Sequence, residues 1–243
     1  PCKEQEELDQ IPAGLYNFYK DPENNPLSTP TGKLEYYSTE IAKHTPDDPE
    51  RMPVPHWVEK SECHDERLSS TRAEKYPLLC MSNHGRWRMH AQCDDIIWNR
   101  EVETMKIRGK DGYQYEPCWI HTSEAEKRGI KVYNERGVVL CGAYVTERVM
   151  PSVCYVDHGS RLDPIIPGYL DRGGAINTIT PTSTTSKNAT GMAVSGFLVQ
   201  VEKVTDEEME QWKRDYPEAF ARKIDPDAGV CLAGWLVDEK EAE

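Results

Sequence analysis

Long apolar segments are missing from this chain of 243 residues. No run of about 18 apolar residues occurs, and a shorter run does not span a bilayer as a helix. Residues 1–7 are acidic, do not have the apolar core of a signal peptide and include no initiator Met. We therefore expect a piece of a longer protein without membrane insertion. We expect it in the cytoplasm, with export in folded form, directed by a signal outside this chain, as the alternative.

Sequence motifs typical of metal sites and of serine hydrolases are missing as well. The 8 cysteines include no C-x-x-C pair, and the 7 histidines include no H-x-x-x-H pair. Ser160, with His158 and Asp163 nearby, lacks the G-x-S-x-G turn that presents a hydrolase nucleophile. These absences predict that the chain supplies no metal ligand and is not a serine hydrolase. Four cysteines lie inside apolar runs and are predicted to be buried free thiols: Cys80, Cys118, Cys141 and Cys154.

Basic residues are scarce relative to acidic ones. The 29 Lys and Arg stand against 42 Asp and Glu, a net charge of -13, which disfavours a nucleic-acid polymer as a partner. Acids and bases number 16 and 9 in residues 1–75, 13 and 14 in residues 76–201, and 13 and 6 in residues 202–243. Of the 14 central bases, 9 are Arg, whose planar guanidinium suits phosphate and carboxylate groups.

The composition predicts one domain between two extensions. Residues 1–75 read as a loop-rich extension, with one short strand at 32–37. Residues 76–204 form the compact domain. Residues 205–243 form an acidic tail that begins with a helix, because Thr205 and Glu208 fit a capping box.

Short apolar segments separated by turns predict a β-barrel of mixed topology for residues 76–204. Ser123 and Glu126 predict the start of a short helix that ends at Gly129. Residues 134–137 are typical of a hairpin turn. The predicted strands are 78–81, 117–120, 131–133, 138–146, 153–156 and 195–201.

Three loops of the predicted barrel are rich in Gly, Arg, His and Asn, and they cover residues 82–92, 157–163 and 171–191. Arg and His suit an anionic ligand, whereas Asn offers a donor and an acceptor to the edge of a heterocycle. Gly lets the backbone approach a ligand closely. The three loops are therefore the candidate binding site, with ordinary solvated loops as the alternative.

Four segments within this domain occur in a distinctive order. They are R-M-H-A-Q at 88–92, Y-E-P-C-W-I-H at 115–121 with E-A-x-x-R-G-I at 124–130, V-Y-N-E-R-G at 132–137, and N-T-I-T at 177–180 with T-S-K at 185–187. Together they resemble the C-terminal molybdopterin-dinucleotide-binding domain of the DMSO reductase family of molybdenum and tungsten oxidoreductases. The segment T-G-K-L-E-Y-Y at 31–37 is similar to the stretch that precedes that domain, so the resemblance covers most of the chain.

The resemblance implies a six-stranded double-psi β-barrel with short helices, whose loops bind a molybdopterin guanine dinucleotide carrying molybdenum or tungsten. The chain is then expected to bind and tune the cofactor, and to be non-catalytic alone, because the metal ligand and the catalytic base belong to earlier domains of that family. The implied partners are the remaining domains of the same catalytic subunit and an iron–sulfur electron-transfer subunit. The implied cofactor-binding residues are Asn83, His84, Arg86, Arg88, His90, Gln92, Asp157, Arg161, Asn177 and Lys187.

Two finer expectations follow from the same comparison. Residues 134–151, 157–163 and 170–177 look most like large subunits of pyrogallol–phloroglucinol transhydroxylases and catechol dehydroxylases, which implies a hydroxylated aromatic substrate. Relative to the family pattern, about six residues are missing between Ile130 and Lys131, so we predict a break or distortion there. A non-catalytic interaction domain with a barrel core and acidic arms is the alternative function.

Overall fold

Two compact units make up the chain, divided between Val58 and Glu59. The computed structural model describes residues 13–57, 66–125, 130–184, 188, 191–192 and 194–221. In the first unit, a 3-10 helix at Ala13–Leu15 is followed by α1 (Tyr16–Lys20) and α2 (Thr39–His44). Residues 32–37 form bends and irregular backbone, so the predicted strand is wrong. The described residues of this unit contain no other strand with which such a segment could pair.

The second unit is built on a closed barrel of six strands. The strands of this unit are β1 (Leu78–Met81), β2 (Ile107–Arg108), β3 (Gln114–Ile120), β4 (Ile130–Asn134), β5 (Gly137–Val145), β6 (Val153–Val156), β7 (Pro164–Ile166), β8 (Leu170–Asp171) and β9 (Phe197–Lys203). The order β3-β6-β1-β9-β4-β5 closes because β5 also pairs with β3. The pairs β1–β6 and β3–β5 are parallel, whereas the other four pairs of the barrel are antiparallel. The predicted six-stranded barrel is confirmed, with β2, β7 and β8 added outside the closed ring.

Alternating side chains of the barrel strands fill its interior. Val132, Val139 and Phe197 are completely buried there. The four cysteines predicted to be buried lie on β5, β3, β6 and β1, which are consecutive around the barrel, and all four are buried free thiols. Burial raises the pKa of the Cys141 thiol well above its ordinary value. All four thiols belong to the apolar core cluster, where they pack as small side chains.

Strand direction gathers the candidate loops at one end of the barrel. Cys80 on β1 pairs with Cys154 on the parallel strand β6, so both strands end on the same side. The antiparallel strands β3 and β9 begin on that side, and the turn between β4 and β5 lies there too. Loops 82–92 and 157–163 leave from this end. The third loop lies at the same end of the barrel. Asn134, at the β4–β5 turn, donates through its amide to the carbonyl oxygen of Ile179 in that loop at 2.8 Å.

Short helices cover the outside of the barrel. They are α3 (Ile97–Arg100), α4 (Asp206–Asp215) and α5 (Pro217–Phe220), with 3-10 helices at Thr71–Glu74, Thr122–Glu124 and Ile176–Thr178. The predicted capping box of α4 is confirmed, since the side chains of Thr205 and Glu208 each accept from the other residue's backbone N–H. Met209, Trp212 and Phe220 pack on a second apolar cluster that includes Leu140 and Leu170. Residues 206–220 are thus part of the domain's packing rather than a solvated tail. No helix in the described part of the chain combines the length and apolar character needed to cross a membrane.

A buried carboxylate attaches the segment before β1 to the barrel. Glu66 is 3% exposed and accepts from Arg72, from Arg136 and from the backbone N–H of Leu198, at 2.6 to 2.7 Å. Arg72 also pairs with Glu135 in the β4–β5 turn. The described residues from Glu66 onward therefore belong with the barrel, although the sequence assigned them to the extension.

Two predictions concern the described residues on either side of the connection into β4. A 3-10 turn at Thr122–Glu124 stands where the helix is predicted, and the backbone N–H of Ser123 donates to the His121 ring, so Ser123 is not the cap. Residues 126–129, which include the rest of that helix, lie outside the described residues. Ile130 and Lys131 are consecutive members of β4 and pair in register with β5 and β9. The predicted distortion between these two residues is therefore wrong.

Candidate functional site

The first two candidate loops are joined by backbone contacts. His84 and His158 form a parallel bridge, and the N–H of His158 donates to the carbonyl oxygen of Asn83 at 2.8 Å. Arg161 donates through Nε to the carbonyl oxygen of Ala91 at 3.2 Å. These bonds continue the β1–β6 pairing beyond the strand ends, so the loops form one surface.

Three imidazoles meet on this surface. The ring centroids of His84 and His90 are 4.7 Å apart, those of His84 and His158 are 5.3 Å apart, and those of His90 and His158 are 5.0 Å apart. Nε2 of His158 lies 3.0 Å from Nδ1 of His90, within hydrogen-bond distance. Burial, followed by the neighbouring His90 and His84, lowers the pKa of His158. We call these three residues the histidine cluster.

Two glycines with positive φ allow the loops to pack this closely. Gly159 has a φ of +94°, and a Cβ at this position would lie 2.4 Å from the Cα of His90. Gly174 in the third loop has a φ of +90°, and a Cβ there would lie 2.2 Å from the Cβ of Glu116. Ser160 links the second and third loops, because its hydroxyl donates to the carbonyl oxygen of Gly173 at 2.5 Å. All three loops are thus held in contact at backbone level.

A buried ionic network supports the loops from below. Glu116, at the start of β3, accepts from both terminal nitrogens of Arg88 at 2.6 and 2.9 Å and from Lys106 at 2.7 Å. Arg88 also reaches the carbonyl oxygen of His158 at 3.3 Å, which links the network to the histidine cluster. Asp94 pairs with Arg88 and Lys106, and Arg100 lies within 3.5 Å of it. Burial alone raises the pKa of Asp94, but these three cations together lower it below its ordinary value.

Two further buried acids lie at the bases of the loops. Burial raises the pKa of Asp157, whose carboxylate accepts a hydrogen bond from the Tyr155 hydroxyl. Burial also raises the pKa of Asp171, which accepts from the backbone N–H groups of Asp163 and Ala175 at 2.7 and 2.8 Å. The Asp171 carboxylate therefore links the second loop, through Asp163, to the third loop, through Ala175.

The predicted site residues separate into three groups. Seven are exposed and lie in the three loops: Asn83, His84, Arg86, His90, Gln92, Arg161 and Asn177. Arg88 and Asp157 are buried and hydrogen-bonded to Glu116 and Tyr155, so they support the loops from within. Lys187 lies outside the described residues.

Sequence reasoning missed His158, Lys106 and Glu116. His158 could have been found, because its loop was already a candidate and histidine was the residue type sought. Lys106 and Glu116 carry no such signal, since only the folded chain brings them to Arg88.

The donor set on this surface fits an anionic ligand that carries a heterocycle. Arg86 and Arg161 supply exposed guanidinium groups, the histidine cluster supplies imidazoles, and Asn83 and Gln92 supply amides. The hydroxyl of Ser82, at the end of β1, is buried and has no hydrogen-bond partner among the residues that the structure describes, which leaves one unsatisfied polar group beneath the first loop. The described residues contain no group of three or more His, Cys, Asp or Glu side chains arranged to hold a metal ion. Fold and site thus define a barrel domain with a polar, loop-built binding surface at one end.

Comparison with known proteins identifies the class of ligand. Residues 81–196 match the family described as "Molydopterin dinucleotide binding domain". The chain is 36% identical to "Dimethyl sulfoxide/trimethylamine N-oxide reductase" of Rhodobacter capsulatus over 78% of its own length and 22% of the relative's. It is 35% identical to "Trimethylamine-N-oxide reductase 1" of Escherichia coli (strain K12) over 76% of its length and 22% of the relative's. The matched region is a molybdopterin dinucleotide-binding domain of the DMSO/TMAO reductase family, as the sequence motifs predict.

The chain spans about a fifth of the length of these curated relatives, 22% in each case. The names of these relatives concern a sulfoxide and an amine N-oxide. They give no support to a particular closeness to transhydroxylases, nor to a hydroxylated aromatic substrate.

Proposed function

We propose that this chain is the cofactor-binding part of a molybdenum or tungsten oxidoreductase that uses a molybdopterin guanine dinucleotide. The observation that carries the proposal is the meeting of three loops at one barrel end, inside the region that matches the dinucleotide-binding family. A second supporting feature is the concentration of exposed guanidinium, imidazole and amide groups on that surface.

Each part of the proposed site has its own task. Arg86 and Arg161 hold the phosphates electrostatically, and Asn83, Gln92 and Asn177 bind polar edges of the pterin and guanine. The buried Arg88–Glu116 pair fixes the loops that carry these residues. When bound, the cofactor supplies the redox chemistry, and the residues of this chain position it and set the charge around it.

The relatives favour an oxidised sulfur or nitrogen compound as the substrate of the whole enzyme. We propose the same class of substrate for the enzyme that contains the present chain. The hydroxylated aromatic substrate expected from the sequence stays a prediction. The partners we propose are the remaining domains of the same subunit and an iron–sulfur electron-transfer subunit. The location we propose is the cytoplasm, with export of the folded holoenzyme as the alternative.

Metal and pterin analysis of the longest natural chain that contains this segment tests the proposal. We expect molybdenum or tungsten together with a pterin that yields guanine nucleotide on hydrolysis. The purified protein is then assayed with dimethyl sulfoxide, trimethylamine N-oxide and pyrogallol. Absence of both metal and pterin contradicts the proposal and leaves the interaction domain as the function.

A matched pair of variants locates the site. Arg161 and Arg148 are both exposed, but Arg161 lies in the second loop and Arg148 follows the far end of β5. We expect Arg161→Ala to lower the cofactor content per chain and Arg148→Ala to leave it unchanged. Equal cofactor content in the two variants would place the site elsewhere.

A further inference from the structure

The histidine cluster lacks an acidic partner. Among the residues that the structure describes, no carboxylate contacts the rings of His84, His90 or His158. A histidine in a folded protein that gains a proton without a neighbouring carboxylate carries an uncompensated charge. An anionic ligand at this surface would supply the missing negative charge.

The contact between two of the rings limits how many protons the cluster can hold. Nε2 of His158 and Nδ1 of His90 are 3.0 Å apart, and this hydrogen bond needs one nitrogen as donor and the other as acceptor. One added proton leaves an imidazolium donating to a neutral imidazole. A second proton would place two N–H groups against each other and break the bond. The pair therefore takes up a single proton while it keeps its geometry.

Three arginines surround the cluster, and carboxylates partner two of them. Arg88 approaches the His158 carbonyl oxygen from below and is paired with Glu116 and Asp94. Asp157, next in the chain to His158, is turned toward Tyr155. Two exposed arginines flank the cluster: Arg161 lies 3.5 Å from an Asp95 carboxylate oxygen, and Arg86 lies over the Trp87 ring. The surroundings therefore add positive charge, which disfavours protonation until an anion arrives.

We propose that His84, His90 and His158 form a phosphate-binding subsite that takes up one proton for each phosphate group bound. The proton comes from solvent and resides on the His90–His158 pair, and the phosphate dianion supplies the balancing negative charge. The inference rests on the proposed function, because it assigns the phosphate-bearing part of that ligand to the histidine cluster. Anion affinity then rises as pH falls, by about tenfold per pH unit while one proton is taken up per anion.

Calorimetric titration of the 243-residue chain with sulfate tests this proposal. Sulfate is a tetrahedral dianion that does not change its charge between about pH 5 and 8, so any pH dependence in that range belongs to the protein. We expect the Kd to fall by about tenfold as pH is lowered by one unit from the upper end of this range. Titration in two buffers with different heats of ionisation is expected to report uptake of about one proton per sulfate.

Histidine variants locate the proton. We expect His158→Gln to abolish the proton uptake, whereas His121→Gln, at the opposite end of β3, leaves it unchanged. If His158→Gln melts at a lower temperature than the wild-type chain, His84→Gln serves as the second variant, with loss of affinity at low pH expected. Affinity that does not change with pH, or unchanged proton uptake in His158→Gln, overturns the inference.

The two proposals can fail separately. A natural chain that contains the pterin but shows no proton-linked sulfate binding would overturn the histidine subsite alone. Proton-linked sulfate binding in a protein without metal and pterin would overturn the proposed function alone.

Discussion

Replacing Glu116 with Gln is expected to destabilise the domain severely, because this carboxylate is the centre of the buried network. The Glu116 side chain is 0% exposed and accepts three charge-assisted hydrogen bonds, two from Arg88 and one from Lys106. Gln has nearly the same shape, so the substitution removes the charge with little change in volume. It leaves three cations, Arg88, Arg100 and Lys106, with Asp94 as the one remaining carboxylate of the network described here.

The expected loss is about 3–5 kcal/mol in the free energy of unfolding, the usual cost of removing one partner from a buried ion pair. A domain of this size changes its Tm by about 2–4 °C per kcal/mol, so the melting temperature should fall by about 6–20 °C. Urea denaturation followed by tryptophan fluorescence measures the free energy directly.

Glu101→Gln is the matched control. Glu101 also pairs with an arginine, at 3.1 Å from Arg108, but its side chain is 56% exposed. An exposed pair of this kind contributes about 0–1 kcal/mol, so the control should stay within that range of the wild-type chain. Adding Lys106→Met to Glu116→Gln removes one excess cation and should restore part of the stability. A Glu116→Gln variant as stable as the Glu101→Gln variant would refute this account of the network.

Two further predictions concern the loops. Gly159→Ala should cost at least about 1–3 kcal/mol and lower sulfate affinity, because its Cβ would meet the His90 backbone. The control is Gly168→Ala, where φ is also positive but no atom of the described residues lies within 4 Å of the added Cβ, and equal losses in the two would contradict the reasoning. Because burial raises the pKa of Asp157 in the folded state, its contribution to stability is present below its ordinary pKa of about 3.9 and is lost as pH rises through the folded value. Urea denaturation should therefore find Asp157→Asn more stable than the wild-type chain at about pH 7 but not near pH 4, and a difference independent of pH would contradict this.

The barrel could be predicted because its walls are short apolar runs. Residues 78–81 and 153–156 are found as strands at the predicted bounds, since their buried side chains give a strong local signal. The strands β2 and β8 have two residues each, too few to show any alternation. Residues 32–37 show alternation but find no partner strand among the described residues, and a strand is stable only when paired.

The site was predictable as a set of loops but not as a set of contacts. Composition identified the segments around His90 and Arg161, and strand direction brings them together. Arginine is a common ligand-binding residue, yet the guanidinium of Arg88 forms a buried ion pair with Glu116 on β3. That pairing depends on the register of distant strands, which the order of residues alone does not display.

The topology of the barrel also determines when its binding surface can exist during synthesis. Cys80 on the first strand pairs with Cys154 and with Phe197, so β1 has no barrel neighbour until much later parts of the chain have left the ribosome. Contacts between such distant segments make folding slow and leave unpaired strand edges open to aggregation in the meantime. The loops at 82–92 and 157–163 meet only after β1 and β6 have paired. A ligand that contacts both loops can therefore bind only after β1 and β6 have paired, and its binding would stabilise the finished domain.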